Sequence, residues 1–227
     1  MTRGEKQYIN MPLLAARLYD NLTSVKGVNK GFEEIASFIT NNLKHGRILD
    51  IGTGPGRLLS EINKKNPEIE LYGLDISESM LAIAGKNLQN IKKVELKVGN
   101  ITKTEYLDGY FDCIVSSGSF YNWDHPITGL NEIFRILKPG SNAYIFETYS
   151  DHNRELLHPR LKENLKAYNF VRRKLSLHFL KKQLRMTYAF KEFEDISGQS
   201  DFKNNYAIEQ VELGNLPIYV RLTLKKN

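Results

Sequence analysis

The chain has 227 residues, 41% hydrophobic and 11% aromatic, which suffices to bury one substantial core without disulfide or metal staples. A single cysteine excludes a disulfide within the chain, and no apolar run is long enough to cross a bilayer. The opening residues Met1 to Gln7 lack the apolar core of a secretion signal, so cytoplasmic residence is the expectation, and the formal net charge of +6 draws attention to anionic partners.

Pro12 to Asp20 and Phe32 to Ile39 carry apolar residues at helical spacing, which predicts two helices before the first strand. Ile48 to Ile51 suit a buried parallel strand, and glycine follows at every second position, Gly52, Gly54 and Gly56. Such a turn lets backbone N–H groups approach a ligand before Arg57 and Leu58 open a helix. A nucleotide-like ligand fits. The nicotinamide fingerprint needs its third glycine where Arg57 stands, and the Gly-Lys-Ser/Thr run of a phosphate-binding loop is missing. Leu71 to Asp75 read as a second strand ending in a carboxylate about 20 residues after the loop, a place suited to hold ribose hydroxyls. Ser77 and Glu78 look like a helix start, with Ser77 able to cap without Asp75. Val94 to Ile101 form a third strand, and Cys113 sits inside a fourth, Phe111 to Val115, as a small buried hydrophobe. A helix from Pro126 to Leu137, with His125 at its start and Asp124 as its cap, is ended by Lys138-Pro139-Gly140, before a fifth strand over Asn142 to Glu147.

From Asp151 to Thr187 the chain is rich in Lys and Arg, with Leu161, Leu165, Tyr168 and Val171 at the spacing of one amphipathic helix. Its charge suits an anionic small acceptor or acidic protein, a membrane surface, RNA, or simply a solvated face. Phe190, Phe193 and Ile196 line a further helix, and Tyr206 to Leu213 and Ile218 to Leu224 alternate as two strands joined by a turn at Gly214 to Pro217.

Asp50-x-Gly52-x-Gly54-x-Gly56, the acidic end of strand two, the Ser117-to-Trp123 loop and the Leu-Lys-Pro-Gly turn, in that order, resemble the class I S-adenosylmethionine-dependent methyltransferases over residues 45 to 150. The central region is most similar to the quinone-biosynthesis and small-metabolite members. The resemblance implies an α/β, Rossmann-like sheet of seven mostly parallel strands with an antiparallel last strand and helices on both faces. It implies one domain: a helical cap over residues 1–44, a cofactor-binding core over 45–150, a lid insertion over 151–187, and a C-terminal helix and hairpin over 188–227.

Carried over residue by residue, it implies that S-adenosylmethionine meets Asp50, Gly52, Thr53, Gly54 and Gly56 in the loop. Asp75, Ile76 and Met80 would serve at the second strand, Asn100 and Ile101 at the third, and Ser117 at the fourth. Asn100 stands where the family has aspartate, its amide oxygen accepting from the adenine amino group. Tyr121 and Trp123 would wall the pocket, by stacking or cation–π contact. Tyr8 and Tyr19 would reach donor or acceptor from the cap, and His125, with Tyr121, is the candidate for proton transfer. No metal is expected. The loop lacks the Asn/Asp-Pro-Pro-aromatic motif and the chain lacks a Pro-Cys nucleophile, which points to a small-molecule acceptor. Methylation of RNA or a ribosomal component, and a non-catalytic S-adenosylmethionine-binding regulator, remain as alternatives.

Overall fold

A computed structural model describes residues 12–227. The buried run Ile48-Leu49-Asp50-Ile51 is strand β1 (Arg47–Ile51), in the interior of a seven-stranded sheet ordered β3-β2-β1-β4-β5-β7-β6. β1 pairs in parallel with β2 (Glu70–Asp75) on one side and β4 (Phe111–Ser117) on the other. β3 (Val94–Val98) extends the first flank and β5 (Leu137–Thr148) the second. β7 (Leu216–Lys225) pairs antiparallel with both β5 and β6 (Tyr206–Leu213). The chain therefore fills one flank, then returns past β1 to fill the other. At that reversal the carboxyl ends of β1 and β4 open a crevice, the usual ligand position of such sheets.

Eight helices surround the sheet among the described residues. On one face α2 (Lys26–Asn42), α3 (Arg57–Lys65) and α4 (Glu78–Asn87) bury Ile35, Ile39, Leu58, Ile62 and Ala84. On the other, α5 (Pro126–Ile136) buries Leu130, Ile133 and Ile136, each contributing about 1.5–3 kcal/mol of apolar burial. α8 (Phe190–Gly198) stacks Phe193 against Phe120 there, with ring centroids 5.7 Å apart. α1 (Leu13–Thr23), α6 (Arg154–Leu165) and α7 (Phe170–Met186) lie at the crevice.

Three expectations change. β5 begins at Leu137 rather than Asn142, because the register moves from Phe111↔Leu137 to Cys113↔Asn142 and a wide bulge absorbs Lys138 to Ser141. Lys138 holds the bulge through Asp112, Nζ to Oδ1 2.5 Å. The basic segment is two helices, not one. Asn169 takes the Arg172 N–H at 2.9 Å and starts α7 afresh, so Tyr168 and Val171 do not continue the apolar row of Leu161 and Leu165. The hairpin turn is also tighter than expected: Gly214 and Asn215 alone carry it at φ 58° and 65°.

Candidate active site

The glycine loop folds over the end of β2. Gly52 and Thr53 both donate their N–H groups to Leu74 O, at 2.7 and 3.1 Å. Gly54, at φ 53°, donates its N–H to Asp75 Oδ2 at 2.7 Å. A Cβ on Gly54 would meet nothing closer than Gly52 O at 4.0 Å, so this glycine faces open space, whereas a Cβ on Gly52 would lie 2.3 Å from Ser119 Cβ. Gly56 lines neither cavity; it packs against Leu88 and Ala84 where α3 starts.

The loop separates two cavities. The first is a cleft of ≈ 840 Å³ reaching Gly52, Gly54, Asp75, Ile76, Met80, Asn100, Ile101, Tyr121 and Trp123, as well as Tyr19. Asp75 sits at its lip with its other oxygen on the Ser77 N–H at 2.9 Å. Burial pushes the Asp75 carboxyl up from its ordinary range, against the pull of these N–H groups. Ser77 does cap α4, but its own N–H rests on Asp75, so the carboxylate shares in that helix start.

The second cavity, open to solvent on one side, spans ≈ 1690 Å³ under α1, α6 and α7. Its walls are mainly apolar, with Leu22, Phe32, Leu161, Phe179, Leu180 and Met186. Asp50, Thr53 and Ser117 face this chamber rather than the cleft. Asp50 is buried, accepts the Thr53 hydroxyl at 2.8 Å, and is pushed up to about 7 by burial. Tyr19, Gly52, Gly54, Pro55, Gly118 and Tyr121 border both cavities and form the seam between them.

Other sequence expectations fare differently. The Asn100 side-chain oxygen accepts both the N–H and the hydroxyl of Thr102, at 3.0 and 3.1 Å, so both its lone pairs serve its own loop. The expected contact with a purine amino group would share this oxygen with Thr102. His125 is exposed at the start of α5 and lines neither cavity. Asp124 does not cap that helix; its Oδ1 is buried without a hydrogen bond. Tyr8 lies outside the described residues.

The sequence also passed over Glu147, at the end of β5. This fully buried carboxylate accepts the N–H groups of Thr148 at 2.8 Å and Tyr121 at 3.3 Å, and burial pushes it up to about 7. It thereby fixes the short 3₁₀ turn Phe120–Asn122 that sets Tyr121 on the seam. An acid closing the buried run Ala143 to Phe146 was the available signal. Ser119 joins in by bonding Ile51 O at 3.0 Å and Ser116 Oγ at 2.8 Å, which closes β4 onto the glycine loop.

Residues 42–210 match the family model of the methyltransferase domain. The chain belongs to that family. Over 98 residues it is 33% identical to an uncharacterized methyltransferase, YdaC, of Bacillus subtilis, covering 43% of this chain and 54% of that one. Over 135 residues it is 30% identical to a demethylmenaquinone methyltransferase of Deinococcus radiodurans, covering 57% of this chain and 55% of the relative. The methyltransferase chain thus spans about half the length of these curated relatives. Its fold matches a SAM-dependent methyltransferase from Aquifex aeolicus with a TM-score of 0.66 at 18% identity, covering 92% and 98% of the two chains. It also matches the plantazolicin methyltransferase BpumL, solved with S-adenosylhomocysteine, with a TM-score of 0.71 at 19% identity, covering 100% and 95%.

Proposed function

We propose that this methyltransferase-family chain moves the methyl group of S-adenosylmethionine onto a small, largely apolar acceptor. The observation that carries this is the seam: a polar-lipped cleft and an apolar chamber meet only across Gly52, Gly54, Gly118 and a few neighbours. The cleft fits the donor. Gly54 leaves room where a side chain would intrude, Asp75 offers carboxylate lone pairs to ribose hydroxyls, and Leu74, Ile101 and Trp123 give apolar walls for a flat base.

S-adenosylmethionine, when bound, supplies a methyl group already activated by its positive sulfur. The chain's share of an in-line displacement is alignment and exclusion of water. Asp75, itself held by the Gly54 N–H, fixes the donor's position, and Tyr121, clamped through Glu147, stands where the two cavities join. The roof of α1, α6 and α7 covers the acceptor side with mainly apolar groups. Relatives named for demethylmenaquinone support a small apolar acceptor.

Calorimetric titration with S-adenosylhomocysteine, beside NADH, tests the donor site. Micromolar binding of the first alone is expected. Binding of NADH instead, or of neither, would overturn the reading.

A further inference from the structure

α1 and α7 cross antiparallel above the chamber. The Arg172 side chain donates to the carbonyls of Asn21 and Ser24, at 2.9 and 3.0 Å, the Ser176 hydroxyl to that of Leu22 at 3.0 Å, and Phe179 meets Tyr19 edge-on at 5.9 Å. Those contacts use one side of each helix. The opposite sides face solvent and carry large apolar groups: Leu14 is 79% exposed, Leu18 56%, Phe170 66% and Val171 65%. Single exposed apolar residues are ordinary, but the antiparallel crossing sets Phe170 and Val171 toward one end of the helix pair and Leu14 and Leu18 toward the other, so exposed apolar groups recur along its outer side.

The same face is cationic. α7 holds six Lys and Arg and no acid. Lys174, Lys181 and Arg185 follow Val171 at helical spacing on the side turned away from Ser176 and Leu180, and all are exposed. Lys174 Nζ stands 4.5 Å from the centre of the Phe170 ring. Aliphatic groups interleaved with cations are what a lipid–water boundary accepts: the aliphatic groups enter among the headgroups and the cations meet phosphates. Single-stranded RNA would use a succession of aromatic planes for stacking, whereas this face offers one, Phe170, already covered by Lys174, beside the aliphatic Leu14, Leu18 and Val171.

We infer that the outer face of α1 and α7 docks on an anionic phospholipid bilayer. Because Tyr19 and Phe179 of the same two helices line the chamber beneath, docking sets the chamber's roof against the lipid surface.

The test is flotation of the full chain with vesicles, without methyl donor, so that its outcome is independent of the proposed reaction. Vesicles of phosphatidylcholine alone are compared with vesicles holding about 30% phosphatidylglycerol. At least about tenfold stronger binding to the anionic vesicles, weakened by high salt, is expected. The double variant Lys174→Gln, Lys181→Gln should bind about thirtyfold more weakly, the effect of two surface cations. Leu18→Ser with Val171→Ser should also lose binding, and an unchanged melting temperature and S-adenosylhomocysteine titration would show that both variants fold. Equal binding to the two vesicle types, no binding to either, or variants that bind like the parent would overturn the inference. So would tight, salt-sensitive binding to single-stranded RNA with none to vesicles.

Discussion

Replacing Asp75 by alanine perturbs two things that the structure separates. The carboxylate accepts the Gly54 N–H at 2.7 Å and the Ser77 N–H at 2.9 Å, so Asp75→Ala removes a partner from the glycine loop and another from the start of α4. Each bond to a charged group is worth about 1.5–3 kcal/mol, but the cleft is open and water re-satisfies much of the loss. A net destabilisation of about 2 kcal/mol follows, seen as a melting temperature lowered by about 4–8 °C for a chain of this size. Separately, under the proposed placement of the donor, Asp75→Ala removes the acceptor for ribose hydroxyls, which should weaken S-adenosylhomocysteine by about 1.5–3 kcal/mol, a factor of about 10–150. Asp75→Asn keeps one acceptor oxygen and should fall between parent and alanine in both measurements. Differential scanning fluorimetry reads the first effect and calorimetry at a temperature well below the melt reads the second. A folded Asp75→Ala chain that binds S-adenosylhomocysteine as the parent does would refute the placement of the ribose.

Gly54→Val should abolish calorimetric binding of S-adenosylhomocysteine, since it strains a φ of 53° and fills the cleft. Gly52→Ala should instead destabilise the fold through contact with Ser119, and Ser119→Gly in the same chain should recover part of the melting temperature. Asp50, raised to about 7 by burial, binds a proton more readily folded than unfolded, so its contribution to stability is full below about pH 4 and is lost as pH rises through about 7. Denaturant titrations of Asp50→Asn should therefore show a smaller fall in stability between pH 5 and pH 8 than the parent, by about 2–4 kcal/mol. Equal slopes would show that Asp50 is not held protonated. Arg172→Ala removes both donors to the end of α1, and hydrogen exchange should speed up in α1 and α7 while β1 and β4 stay protected.

Local chemistry made much of this protein legible from its sequence. The apolar runs of β1, β2 and β4 are buried on both faces, and such strands read directly as strands. Gly52, Gly54 and Gly56 adopt positive φ, and alternate glycines announce a backbone that side chains cannot follow. Asp75 ends its strand at the expected distance from the loop, because a parallel strand and its crossover helix have nearly fixed lengths. Cys113 lies buried as expected, its thiol pushed up to about 12 by burial.

Where spacing was the only guide, the sequence ran out. The break at Asn169 depended on a side-chain cap, and a pattern of apolar residues does not register one. The bonds from Thr102 to the Asn100 side-chain oxygen are set by loop geometry, which spacing does not register. His125 belonged to the right stretch of chain, yet the start of α5 turned it to solvent. Only tertiary structure brought Glu147 of β5 against the backbone of Tyr121, 26 residues earlier, and gathered α1, α6 and α7 over one chamber. Turn chemistry and strand burial are written within a few residues and so can be read from them. The chamber and its clamp arise from contacts between distant segments, whose partners are fixed only when the sheet order closes.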